Sequence, residues 1–115
     1  MQTPPRVRFQ GMDASAALEA RVREEIDALA HRHPEILRCD VIVLSPHHHH
    51  RHGRIYTVHI DLTLPGVELA VNREPGRNHA REDPFVAVRD AFDAARRRVL
   101  KELDRHRSHG DMAVR

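Results

Sequence analysis

Residues 55–72 alternate more cleanly than any other part of the chain. Tyr56, Val58, Ile60, Leu62 and Leu64 fall on one side of an extended strand, and Ile55, Thr57, His59, Asp61 and Thr63 on the other. Beyond the turn residues Pro65 and Gly66, Val67, Leu69 and Val71 alternate with Glu68, Ala70 and Asn72. The two runs predict an antiparallel hairpin with one apolar face and one polar face. Such a sheet is not stable in water until something covers the apolar side, so the rest of the sequence must supply a cover.

Two amphipathic segments are available. Over residues 82–107, Phe85, Val88, Phe92, Ala95, Val99 and Leu103 recur at steps of three and four and form one stripe of a helix. Asp83 followed by Pro84 marks its start, the carboxylate capping free N–H groups and the proline standing where its missing N–H costs nothing. The earlier helix begins after Asp13 or Ser15, carries Leu18, Val22, Ile26, Leu29 and Ala30 as its apolar stripe, and is stopped by Pro34.

Two more strands complete the pattern. Val7 and Phe9 alternate with Arg6, Arg8 and Gln10 up to Gly11. Over residues 36–45, Leu37, Cys39, Val41 and Val43 alternate with Arg38, Asp40, Ile42 and Leu44, apolar enough on both sides for a strand inside the sheet. The order is β-α-β-β-β-α. A strand-helix-strand opening implies a right-handed crossover between parallel strands, with the later strands adding antiparallel. The predicted fold class is α+β: a four-stranded mixed sheet with two helices packed on one face, leaving Arg8, His59, Asp61 and Thr63 on the open face.

At 115 residues the chain is expected to form a single domain over 1–115, with an ordered core at about 6–107 and a flexible C-terminal tail. Only Phe9, Tyr56, Phe85 and Phe92 are aromatic, and Tyr56 and the two late Phe residues stand at core spacing. That leaves no exposed rings for stacking single-stranded bases. The single Cys39 excludes an internal disulfide and sits where a buried thiol acts as a small hydrophobe. No signal-peptide core and no apolar run of membrane-spanning length is present, so a cytoplasmic protein without a membrane partner is expected.

The formal net charge of +2 conceals local concentrations of base. Arg96, Arg97, Arg98, Lys101, Arg105 and Arg107 crowd the late helix against only Glu102 and Asp104, and Arg97, Lys101 and Arg105 line up at steps of four. Arg73, Arg77 and Arg81 lie in the connection before that helix, and Arg51 and Arg54 in the connection between the second and third strands. Guanidinium and ammonium groups neutralise phosphates and release counterions, and a folded basic patch without rings suits structured RNA read by its backbone. The alternative is a merely solvated face, laced by pairs such as Arg97 with Asp93.

His47, His48, His49, His50 and His52 form the rival signal. Imidazoles bind zinc, nickel or copper, but these stand on a connection with no cysteine and no evident carboxylate partner, so capture of stray metal fits them better than a built site. They also gain charge as pH falls below about 6.5, which would strengthen phosphate binding. His59 with Asp61 resembles half of a catalytic pair, yet no activated Ser or Cys and no glycine-rich phosphate loop accompanies it. No enzyme, resident cofactor or small-molecule substrate is expected. The reading from a different class is a metal-responsive or protein-interaction module using the histidine run or the open sheet face.

The element order, the hairpin RIYTVHIDLTLPGVELAVNREPG and the helix DPFVAVRDAFDAARRRVLKEL resemble the ribosome hibernation promoting factor and ribosome-associated inhibitor family. The match extends over about residues 7–107. It is most specific in the last helix, where Phe85, Ala87 and Val88 are followed by Arg97, Arg98, Val99 and Lys101. The first helix departs from the pattern, Glu19, Glu24, Glu25 and Asp27 outnumbering Arg21 and Arg23, and the histidine connection is long. The chain resembles a short form, without the further domain through which long members pair two ribosomes. The resemblance implies a non-enzymatic translation inhibitor; a monomer is expected, with a homodimer built on an exposed strand edge as the alternative. Such a protein binds the rRNA of the small ribosomal subunit, in the channel used by messenger and transfer RNA, during stress or stationary phase.

Overall fold

The computed structural model describes residues 1–45, 55–73 and 83–113, with Arg73 and residues 106–113 described as backbone only. Among the described residues six elements follow in order: β1 (Arg6–Gln10), α1 (Ala16–Arg32), β2 (Arg38–Leu44), β3 (Thr57–Leu64), β4 (Val67–Arg73) and α2 (Pro84–Ala113). The sheet order is β1-β2-β3-β4. β1 is parallel to β2, with Val7 opposite Val41, and the remaining pairs are antiparallel. This is the α+β architecture that the alternating strands and paired amphipathic helices predict.

The hairpin closes with Leu64 opposite Val67, leaving Pro65 and Gly66 as a two-residue turn. Gly66 takes φ 79°, a backbone region that a Cβ disfavours, and Pro65 before it suits the turn's first corner. Across the apolar face, Cys39, Val41, Val43, Val58, Ile60, Leu62, Leu64, Leu69 and Val71 are all buried. α1 adds Leu18, Val22, Ile26 and Leu29 to the same core. α2 lies over β3 and β4 and packs against α1, so both helices cover one face.

Of the two candidate caps for α1, Ser15 is the one used, its hydroxyl accepting from Leu18 N at 3.2 Å. At α2, Asp83 Oδ1 accepts from Phe85 N at 2.9 Å, and Pro84 begins the helix. α2 continues beyond the expected end at 107 to Ala113.

Two core expectations need correction. Phe85 is 39% exposed rather than packed. It stands in the first turn at the margin of the buried sector, and Ala87, Ala91 and Ala94 widen that sector on the side away from it. Small residues there let the helix approach the sheet closely. The second correction is at β2, which begins at Arg38, so Leu37 does not extend its buried row. The chain turns in after Pro34 with Ile36 buried and Leu37 half-buried.

Candidate nucleic-acid interface

β4 is an edge strand, and α2 packs over it and β3. Between β4 and α2 runs a groove of about 290 Å³ lined by Val71, Asn72, Ala94, Arg97, Arg98 and Lys101. Ala94 forms its floor because it faces inward and is small. Arg97 and Lys101, one helical turn apart, are exposed on its helical wall and form no ion pair among the described residues. Arg98 leans across to the strand, its Nη1 donating to the Ala70 carbonyl at 3.3 Å.

The other ridge residues differ. Arg105 is exposed and stands 3.7 Å from Glu102. Arg96 points toward α1, where it bonds Glu25 Oε1 at 3.4 Å and is also held by Asp93 on its own helix. Glu25 in turn lies 3.5 Å from Arg21. The anticipated partner of Asp93, Arg97, is thus replaced by Arg96. The helix permits both spacings, and the carboxylate on α1 decides between them. The basic residues of α2 therefore divide: Arg96 ties two helices together, while Arg97, Arg98 and Lys101 face the groove.

Arg73 ends β4, opposite Val58, which puts its backbone on the strand that borders the groove. Arg77 and Arg81, Arg51 and Arg54, and the histidines His47, His48, His49, His50 and His52 lie outside the described residues. Arg98 was visible in the sequence as part of the basic run, but nothing in its spacing distinguished it. Its role depends on how α2 lies against the strand edge.

The open sheet face has the opposite character. A depression of about 480 Å³ on it gathers Arg38, Asp40, Asp61, Thr63 and Glu68, three carboxylates against one guanidinium. Arg38 Nε bonds Asp40 at 3.0 Å, and Asp40 stands opposite Asp61 across the β2–β3 pair. That sign of charge repels phosphate, so the larger depression is the poorer nucleic-acid surface. Among the described residues no group of three or more His, Cys, Asp or Glu side chains is arranged to hold a metal ion.

Cys39 lies beneath this face in the core. Burial first, then the nearby Asp40 and Asp61 carboxylates, push its thiol from the ordinary 9.0 up to about 12. A neutral, buried thiol is a poor nucleophile. No helix among the described residues is long and apolar enough to cross a membrane.

The family model for sigma 54 modulation protein / S30EA ribosomal protein matches residues 6–107. The chain belongs to this family. The match takes in every strand, α1 and the described side chains of α2, including the groove residues. Membership places the chain among ribosome-associated factors of the hibernation promoting type, as the last-helix pattern implied. Two of the solved structures that share the fold illustrate it. One is a ribosomal subunit interface protein from Coxiella burnetii, at 17% identity and a TM-score of 0.67, covering 87% of this chain and 97% of that one. The other is the N-terminal domain of Protein Y from Thermus thermophilus, at 17% identity and a TM-score of 0.61, covering 82% of this chain and 91% of that one. No curated protein sequence matches the chain.

Proposed function

We propose that this protein binds the rRNA of the small ribosomal subunit through the groove between α2 and β4. Seated in the channel used by messenger and transfer RNA, it inhibits translation and preserves idle ribosomes in the cytoplasm during stress or stationary phase. The observation that carries this reading is the gathering of Arg97, Arg98 and Lys101 along a strand edge with no carboxylate among the described residues that line the groove. A folded groove of cations with no aromatic ring among its described lining residues suits the phosphates of structured RNA.

Arg97, Lys101 and Arg105 supply the helical side of the contact. Arg73 at the end of β4, and Arg77 and Arg81 in the sequence that follows it, are further phosphate contacts, with Arg51 and Arg54 secondary. Arg96 contributes positive potential while its guanidinium remains engaged by Glu25 and Asp93. Binding is non-covalent, by a monomer, with no reaction step and no cofactor.

A competition experiment tests the blocking mechanism. Labelled transfer RNA is bound to messenger-programmed small subunits, and the protein is titrated in. Displacement that saturates near one protein per subunit supports the reading. Undiminished transfer RNA binding at saturating protein contradicts it.

A further inference from the structure

Arg98 differs from its basic neighbours in being attached to the sheet. Both peptide groups of a β residue point the same way, and Leu69 and Val71 stand opposite Leu62 and Ile60 of β3. Ala70, between them, directs its carbonyl to the free edge, where Arg98 Nη1 meets it at 3.3 Å. A guanidinium carries five donors in a rigid plane, so one bond to the strand fixes the direction of the rest. Arg97 and Lys101 have no such attachment among the described residues and act as mobile charges.

We propose that Arg98 is the directional phosphate contact of the groove, selecting base-paired RNA over flexible single strands. This rests on the groove being an RNA interface. A duplex presents phosphates at fixed positions, so a donor anchored to the sheet edge either meets one or does not. A flexible strand can bring a phosphate to whichever cation is free, so anchoring gains it little.

The test uses the full chain and fluorescence anisotropy over a salt series. The probes are an RNA hairpin and an unstructured oligouridine with the same number of phosphates. Arg98→Lys keeps the charge but loses the planar fork, and is expected to weaken hairpin binding about 5- to 10-fold and oligouridine binding less than about twofold, with the salt slope unchanged. Arg97→Lys is expected to change either affinity by less than about twofold. Arg98→Gln keeps a donor for Ala70 and removes the charge, lowering the hairpin salt slope by roughly 0.7 to 0.9. Thermal denaturation of each variant establishes that it is folded.

Equal effects of Arg98→Lys and Arg97→Lys on the hairpin, or equal losses by Arg98→Lys on both probes, overturn the proposal. An Arg98→Gln slope identical to wild type overturns it as well. If the groove reading itself is wrong, the wild type binds neither probe, or an Arg97→Ala/Lys101→Ala variant binds as wild type does. Hairpin binding that this double variant loses while Arg98→Lys matches Arg97→Lys leaves the groove reading standing and removes only the role of Arg98.

Discussion

Arg96 of α2 donates to Glu25 of α1 at 3.4 Å, while Arg97, the next residue, faces the groove. One helical step separates a structural cation from a binding one. Arg96 is also held by Asp93, and both it and Glu25 are largely shielded from water. Replacing Glu25 by Gln should lower unfolding stability by about 1 kcal/mol in urea denaturation, through loss of a partly shielded charge-assisted bond. It should leave the salt slope of RNA binding at the wild-type value.

Arg97→Ala and Lys101→Ala should behave in the reverse way. Each removes an exposed cation, so stability should stay within about 0.5 kcal/mol of wild type. Each should lower the slope of log affinity against log salt by about 0.7 to 0.9, read by anisotropy on a structured RNA.

The two phenylalanines of α2 should separate sharply. Phe92 is fully buried, and Phe92→Ala should destabilise by about 3–5 kcal/mol through lost burial and the cavity left behind. Phe85 is 39% exposed, and Phe85→Ala should cost less than about 1 kcal/mol. Chemical denaturation of both variants checks the pair.

Cys39 gives a pH dependence. Its thiol is held at about 12 in the folded protein against 9.0 ordinarily. Below pH 9 the thiol is neutral in both states and leaves stability unaffected. As pH rises from 9 toward 12, the unfolded chain loses the proton while the folded one keeps it, so stability falls. Cys39→Ala should flatten that alkaline decline in melting temperature, after allowance for its lower starting stability. Native protein should also resist thiol alkylation at pH 8 until denaturant is added.

The alternating strands and the closing turn were legible because alternation with period two leaves little choice once Pro65 and Gly66 fix the hairpin. The buried residues of α1 were equally plain, since a four-residue step of Leu18, Val22 and Ile26 has one interpretation. Ala87, Ala91 and Ala94 were not legible as core, because alanine suits a seam and a surface alike. Their burial turns the apolar sector of α2 toward β4 and leaves Phe85 at its margin. The groove was half legible: the sequence showed a run of cations, but not that Arg96 would be drawn to Glu25 or that Arg98 would reach Ala70. Both contacts join residues far apart in the chain, and local spacing carries no information about them.

Cosedimentation with purified small ribosomal subunits over a salt series tests the central claim most directly, with a charge-removing Arg97/Lys101/Arg105 triple variant alongside. The expected result is saturable binding that weakens steeply as salt rises and collapses in the folded triple variant. Absence of binding at low salt, or binding that the triple variant retains in full, would contradict the assignment of this groove to ribosomal RNA.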